Sequence, residues 1–350
     1  MIFDDEEKCY RLGHEVLRHY RERFGAECSL RLLQLSENVT YLVENRRKPL
    51  AVLRLCRPGY HTWEELQAEM QWMEELGERV CGVKLRQPIC TDEGHYLCGA
   101  EDGTGQVCFG TAFTYLSGIP LEELPCEQQL PWFEKLGEAT AFLHCRSRER
   151  ALAQRTAGLR DLPRFRWNYE SMIGTKALWG DWRKVIQHNL PDTALYAEKE
   201  IMIHKNIFDK ADGLICNKLK EYGMTENTYG LIHGDLRGAN LLVDKDTLGI
   251  IDFDDCGYGW YMQDLAASLS FQEAEEEVPQ LIKAWCRGYR KLGTLRQADM
   301  DMIDTFILMR RLQLLAWIHS RRRAASARRY RENFLCDTVR LADQYIQIRG

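Results

Sequence analysis

The chain has 350 residues, 45% of them apolar and 28% charged, a globular balance that excludes a disordered or collagen-like protein. That length suits one large domain or two of ordinary size, at about 150 residues each. A formal net charge of -5 gives the chain as a whole no positive field for nucleic acid.

The N-terminus is acidic (Asp4, Asp5, Glu6, Glu7) and lacks the basic start and apolar run of a signal peptide. No apolar run approaches the roughly 20 residues that a bilayer span takes. The 13 cysteines are scattered singly with no C-x-x-C pair, which points away from a zinc ribbon and toward a reducing compartment. The expectation is a cytoplasmic protein with neither a membrane nor a nucleic-acid partner.

In chain order, residues 9–24 carry helical spacing, with Leu12, Val16, Leu17 and Tyr20 on one face. His14 and His19 stand five apart, one position too far for the i, i+4 zinc pair of a helix. Strand patterns follow at 30–35, 40–44 and 50–56, then a helix at 64–76 with Leu66, Met70, Met73 and Leu76 in a stripe. Two more strands, 95–100 and 107–116, flank the turn-rich residues 101–105. Beyond residue 118 the pattern is mostly helical, at 132–144, at 195–222 and from 263 to the end. Between the first two of these lies an aromatic stretch with Phe165, Trp167, Tyr169, Trp179 and Trp182. The predicted architecture is α+β and bilobal: a small antiparallel β lobe with one helix over 1–113, a hinge at 114–118, and a larger helical lobe over 119–350.

The densest chemical signal runs from Leu231 to Asp255. An apolar run leads into a polar turn holding His233, Asp235 and Asn240. A second apolar run ends in three carboxylates, Asp252, Asp254 and Asp255. Acids at the tip of a buried strand are costly unless a positive group is near, and hard oxygen ligands suit magnesium. H-x-D-x-x-x-x-N followed by D-F-x is the arrangement of a kinase catalytic loop and metal loop.

Gly234 after the histidine and Asp254 in place of a glycine make these motifs H-G-D-x-x-x-x-N and D-x-D. In both respects the chain resembles the aminoglycoside phosphotransferase and choline kinase superfamily of kinase-like small-molecule phosphotransferases. Residues 36–41 and 54–61 resemble the branch that holds type II homoserine kinases and stress response kinase A.

The resemblance implies ATP and Mg2+ as cofactors and a bilobal kinase-like fold. It implies that Asp235 takes the proton of the acceptor hydroxyl, and that Asn240 and Asp252 hold the metal. Asp254 then reaches a second metal or a substrate amine, and His233 braces the loop. Asp264 is expected to cap the next helix, and Trp260 to flank the acceptor. Arg54 stands on the third strand where the superfamily usually has lysine, and an Arg fork also grips phosphate. Its helix partner is Glu69, since Glu65 is already used in a capping box with Thr62. Ser36 and Asn38 occupy the place of the phosphate-covering loop. Backbone around Thr114 and Leu116 meets the adenine edge. The aromatic stretch at 160–185 either walls the acceptor pocket or fills the helical core. Arg321, Arg322, Arg323, Arg328, Arg329 and Arg331 read as a solvated or internally salt-bridged face.

These residues point to an ATP- and Mg2+-dependent phosphotransferase acting on an alcohol hydroxyl of a small molecule: an amino alcohol, homoserine-like or aminoglycoside-like. A Ser/Thr protein kinase, with a protein as acceptor, and a nucleotide-binding regulatory pseudokinase are the alternatives. The joint presence of Asp235, Asn240 and Asp252 argues against the last.

Overall fold

The computed structural model describes residues 5–35, 38–101, 105, 107–187, 198–322, 325–330 and 333–350. The chain divides into two compact units: Met1–Ile119 with Asp161–Arg164 and Leu242–Asp254, and the remainder.

The first unit is built on an antiparallel sheet. Strands Cys28–Leu35, Val39–Asn45, Lys48–Leu55, Val107–Thr114 and Pro88–Ile89 lie side by side in that order, and Cys98–Glu101 also pairs with Val107–Thr114. Alternation along these strands turns Leu30, Tyr41, Val43, Ala51, Leu53 and Leu55 to one buried face. Helix Glu6–Arg18 covers that face with Cys9, Leu12, Val16 and Leu17, and begins where the Asp5 carboxylate accepts from the Lys8 amide at 3.1 Å. Helix Trp63–Leu76 starts with the predicted Thr62–Glu65 capping box.

The return of residues 242–254 to this unit departs from a single cut at 114–118. Strand Thr247–Ile250 runs parallel to Val83–Leu85, with Gly249 opposite Lys84 and Ile250 opposite Leu85. Those backbone bonds tie a late segment to an early one. The strands at 79–89 are two or three residues long, too short to show alternation in sequence.

The second unit is mostly helical. Its longest helix, Cys126–Ala157, lies against Val278–Tyr289 so closely that a Cβ at Gly137 would stand 2.0 Å from the Trp285 carbonyl oxygen. Helix Ile303–Ser320 is apolar nearly all round and correspondingly buried, yet it carries two consecutive buried arginines, Arg310 and Arg311. A three-stranded sheet orders Phe165–Arg166, Gly257–Trp260 and Tyr229–Ile232. The 13 cysteines, all among the described residues, form no disulfide, and no described helix is long and apolar enough to cross a membrane.

Candidate active site

In the first unit, strand Lys48–Leu55 turns Arg54 inward and helix Trp63–Leu76 brings Glu69 to meet it. The contact is bidentate: Arg54 Nη1 donates to Glu69 Oε1 at 2.9 Å and Nη2 to Oε2 at 2.7 Å. Arg54 Nη1 also stands 3.3 Å from Asp254 Oδ1. Burial alone pulls the guanidinium down, but Glu69 and Asp254 outweigh it, so Arg54 stays firmly charged.

Asp254 is only 5% exposed. Asn38 Nδ2 donates to its Oδ2 at 2.9 Å, His61 Nε2 lies 3.6 Å from Oδ1, and Arg164 donates to its carbonyl oxygen. Burial raises this carboxyl, and Arg54, His61 and Asn38 more than reverse that, leaving it below the ordinary aspartate range. Within the first unit the Asp254 carboxylate is thus flanked by Arg54, Asn38 and His61. Asn38 Oδ1 accepts from the Arg57 amide at 2.9 Å. Ser36 lies outside the described residues.

Asp252 contrasts with Asp254 two positions away. Its backbone is left-handed, with φ of 65°, and its side chain is 46% exposed. Strain of this kind in a non-glycine residue turns the carboxylate out of the strand line. Its Oδ1 is 4.0 Å from Arg54 Nη1. Thr114 has its amide and hydroxyl engaged with the Gln87 backbone, at 2.8 and 3.0 Å. The Leu116 side chain packs beside Gly249.

In the second unit the strand Tyr229–Ile232 delivers the turn His233-Gly234-Asp235. Gly234 has φ of 83°, and a Cβ there would stand 2.6 Å from the Asp255 carbonyl oxygen, so the turn demands glycine. The turn is held from behind. Asp264 accepts from the His233 amide at 3.1 Å and the Gly234 amide at 2.9 Å, and meets His144 Nε2 at 3.1 Å. His144 Nδ1 in turn meets the Tyr289 hydroxyl at 3.0 Å. Burial raises the Asp264 carboxyl, and the His144 bond, the histidine charges and the Gly234 amide bring it below the ordinary value. Asp264 thus braces the turn from the first turn of helix Met262–Ser268, which has no side-chain cap; the capping expectation is corrected. His233 contributes as expected, its Nδ1 accepting from the Asp235 amide at 3.3 Å.

Asp235 itself is held through both oxygens. Asn240 Nδ2 donates to Oδ2 at 2.9 Å and to the Asp235 carbonyl at 2.9 Å, and Arg310 donates to Oδ1. Arg237 Nε stands 3.6 Å from Oδ2. With its nitrogen so engaged, Asn240 keeps its Oδ1, the atom a hard cation takes. Among the described residues no three His, Cys, Asp or Glu side chains gather as a metal cage. A divalent ion would then complete its shell with phosphate oxygens and water, the usual habit of magnesium at nucleotides.

A model of the phosphotransferase enzyme family (APH) matches residues 30–299 of this chain. The chain belongs to that family. It is therefore a phosphotransferase, with the mixed α+β fold of kinase-like enzymes. The amicoumacin kinase of Bacillus subtilis (strain 168) is 21% identical over 330 residues, covering 91% of this chain and 89% of that protein. The structure of a microcompartment-associated aminopropanol kinase is 30% identical, with a TM-score of 0.80 and coverage of 97% of this chain and 98% of the other. The amicoumacin kinase hAmiN, in complex with AMP-PNP, Ca2+ and Ami, has a TM-score of 0.69 at 18% identity, with coverage of 97% and 96%.

Trp260 is 2% exposed, donates from Nε1 to the Gly223 carbonyl at 2.9 Å, and packs on Tyr229 and Phe306. It is packed in the core of the second unit. Trp167, Trp179 and Trp182 are also buried; Trp167 donates to the Asp255 carbonyl at 2.8 Å, and the Trp179 ring lies 4.8 Å from the Arg310 guanidinium. Arg321 donates to the Trp179 carbonyl at 2.8 Å and Arg329 pairs with Glu122 at 3.2 Å, while Arg323 and Arg331 lie outside the described residues. Sequence reasoning missed His61, His144, Arg164 and Arg310. For Arg310 a signal was present: a charged pair inside the run Phe306 to Leu315, whose one other polar residue is Gln313.

Proposed function

We propose that this enzyme transfers the γ-phosphate of ATP to the hydroxyl of a small amino alcohol, with Mg2+ as the working cation. The observation that carries the reading is the 30% identity, over nearly the whole of both chains, to the aminopropanol kinase. The nucleotide analogue and divalent ion in the hAmiN complex support the cofactor assignment.

In this reading Asp235 orients the acceptor hydroxyl and takes its proton as the oxygen bonds to the γ-phosphorus. The bond from that phosphorus to the β,γ-bridging oxygen breaks, and ADP leaves. Asp252 and the Oδ1 of Asn240 would hold the cation, which would offset phosphate charge. Arg54, fixed by Glu69, supplies positive charge toward the nucleotide phosphates, and the backbone at Thr114 and Leu116 meets the base.

The test is phosphate transfer by the purified chain with ATP and Mg2+, offered an aminopropanol, ethanolamine, choline, homoserine, an aminoglycoside and a generic protein in parallel. The expected result is a kcat/KM for one small amino alcohol at least tenfold above the other classes. Transfer to the protein alone, or to none of the alcohols, overturns the reading.

A further inference from the structure

We propose that Arg310 is a positioning residue for the reaction, holding the Asp235 carboxylate in the orientation that receives the acceptor hydroxyl. The proposal rests on the reading of Asp235 as the group that takes the acceptor proton.

Arg310 rises from the middle of helix Ile303–Ser320, and its side chain is only 1% exposed. Its three nitrogens go to three different places. Nε donates to the Ser270 hydroxyl at 2.9 Å, Nη1 to Gln313 Oε1 at 3.0 Å, and Nη2 to Asp235 Oδ1. The Trp179 ring lies over the guanidinium at 4.8 Å. Ser270, Gln313 and Trp179 thus fix the fork before it reaches Asp235. The guanidinium and the Asn240 amide then grip opposite oxygens of one carboxylate, which sets its plane, with Arg237 Nε 3.6 Å from the oxygen that Asn240 holds.

A buried guanidinium is a poor device for stability alone. Replacing a buried ion pair with apolar side chains of similar volume is often neutral or stabilising. The neighbouring Arg311 shows what an architectural arginine looks like here. Its donors go to Glu273 Oε2 at 2.6 Å, the Thr338 hydroxyl at 2.9 Å and the Phe334 carbonyl at 3.1 Å, all away from the catalytic turn. Arg310 instead spends its charge on the residue assigned the proton transfer. A misplacement of about 1 Å in a reacting group costs up to about 10²-fold in rate, so this grip acts on kcat.

The experiment compares Arg310→Gln, Arg310→Lys and Arg311→Gln with the parent enzyme, alongside Asp235→Asn. Each is assayed on the best acceptor, after circular dichroism and a melting curve show it folded at the assay temperature. The expected result is a kcat about 10- to 100-fold lower in Arg310→Gln, with KM for ATP within twofold and at least threefold of the loss recovered in Arg310→Lys. Arg311→Gln should melt earlier with kcat of the folded enzyme retained. Wild-type kcat in folded Arg310→Gln overturns the proposal, as does an equal loss in the Gln and Lys variants. If Arg310→Gln does not fold, Ser270→Ala and Gln313→Leu loosen the fork without touching Asp235. A lowered kcat at constant KM for ATP in these supports the proposal, and an unchanged kcat overturns it. Should Asp235→Asn retain activity, the assignment of Asp235 fails first, and separately.

Discussion

Arg54 in the first unit and Arg310 in the second are both buried guanidiniums aimed at an aspartate of the acidic motifs, yet they are balanced differently. Arg54 faces two carboxylates, Glu69 and Asp254, and Asp254 is closed off by Asn38, His61 and Arg164. Arg310 faces one, Asp235, whose other oxygen is steadied by Asn240 and approached by Arg237. The Asp254 side chain is 7% exposed and that of Asp235 14%. The first network closes Asp254 off and makes a rigid platform that holds Arg54 on Glu69. The second leaves a carboxylate oriented and reachable. The same pair of residue types thus holds two aspartates differently, and the number of countercharges sets how far each one is closed off.

The contrast breaks first at Asp235. Asp235→Asn should lower kcat by about 10²–10⁴-fold, the usual contribution of a positioned base, with ATP affinity within a small factor. Turnover at the wild-type rate would place the chemistry elsewhere. Next comes Glu69→Ala, which strands Arg54 beside a lone aspartate. Removing one partner of a buried pair costs about 3–5 kcal/mol, so chemical denaturation should show the midpoint falling steeply. A stability loss under about 1 kcal/mol would mean that the first network is not the platform described. The smallest effect belongs to Asp264→Asn, at about 1.5–3 kcal/mol for hydrogen bonds made by a charged group. Because the Asp264 carboxyl sits below its ordinary value in the folded protein, its contribution is complete above the unfolded value near 3.9 and is lost as pH falls through the folded one. The stability gap between wild type and Asp264→Asn should therefore hold from pH 7 to about 5 and shrink below about 4. A gap that widens on acidification would reverse the sign of the shift.

Much of this could be read from sequence because it is local. Alternation marked the strands now seen at Val39–Asn45 and Lys48–Leu55, and the capping box marked the start of helix Trp63–Leu76. The Arg54–Glu69 pair was legible since one strand and one helix stripe leave few candidates for an inward charge. Asp264 was noticed but misassigned, because a carboxylate near a helix start reads as a cap unless the turn it braces, 30 residues earlier, is known. Arg310 reaches Asp235 across 75 residues, and no spacing rule links a buried helix to a turn that far away.

The return of residues 242–254 to the first unit also sets an order of events during synthesis. Strand Val83–Leu85 is made early, but its parallel neighbour Thr247–Ile250 follows only after most of the helical unit has been translated. At about 5–20 residues per second, the edge of that small sheet waits on the order of ten seconds for its partner. Until then the N-terminal segment carries unpaired backbone on the ribosome. A stop or pause between residues 119 and 241 would release a chain whose first unit is complete in most of its core and open along that edge, a ready substrate for a chaperone or a protease.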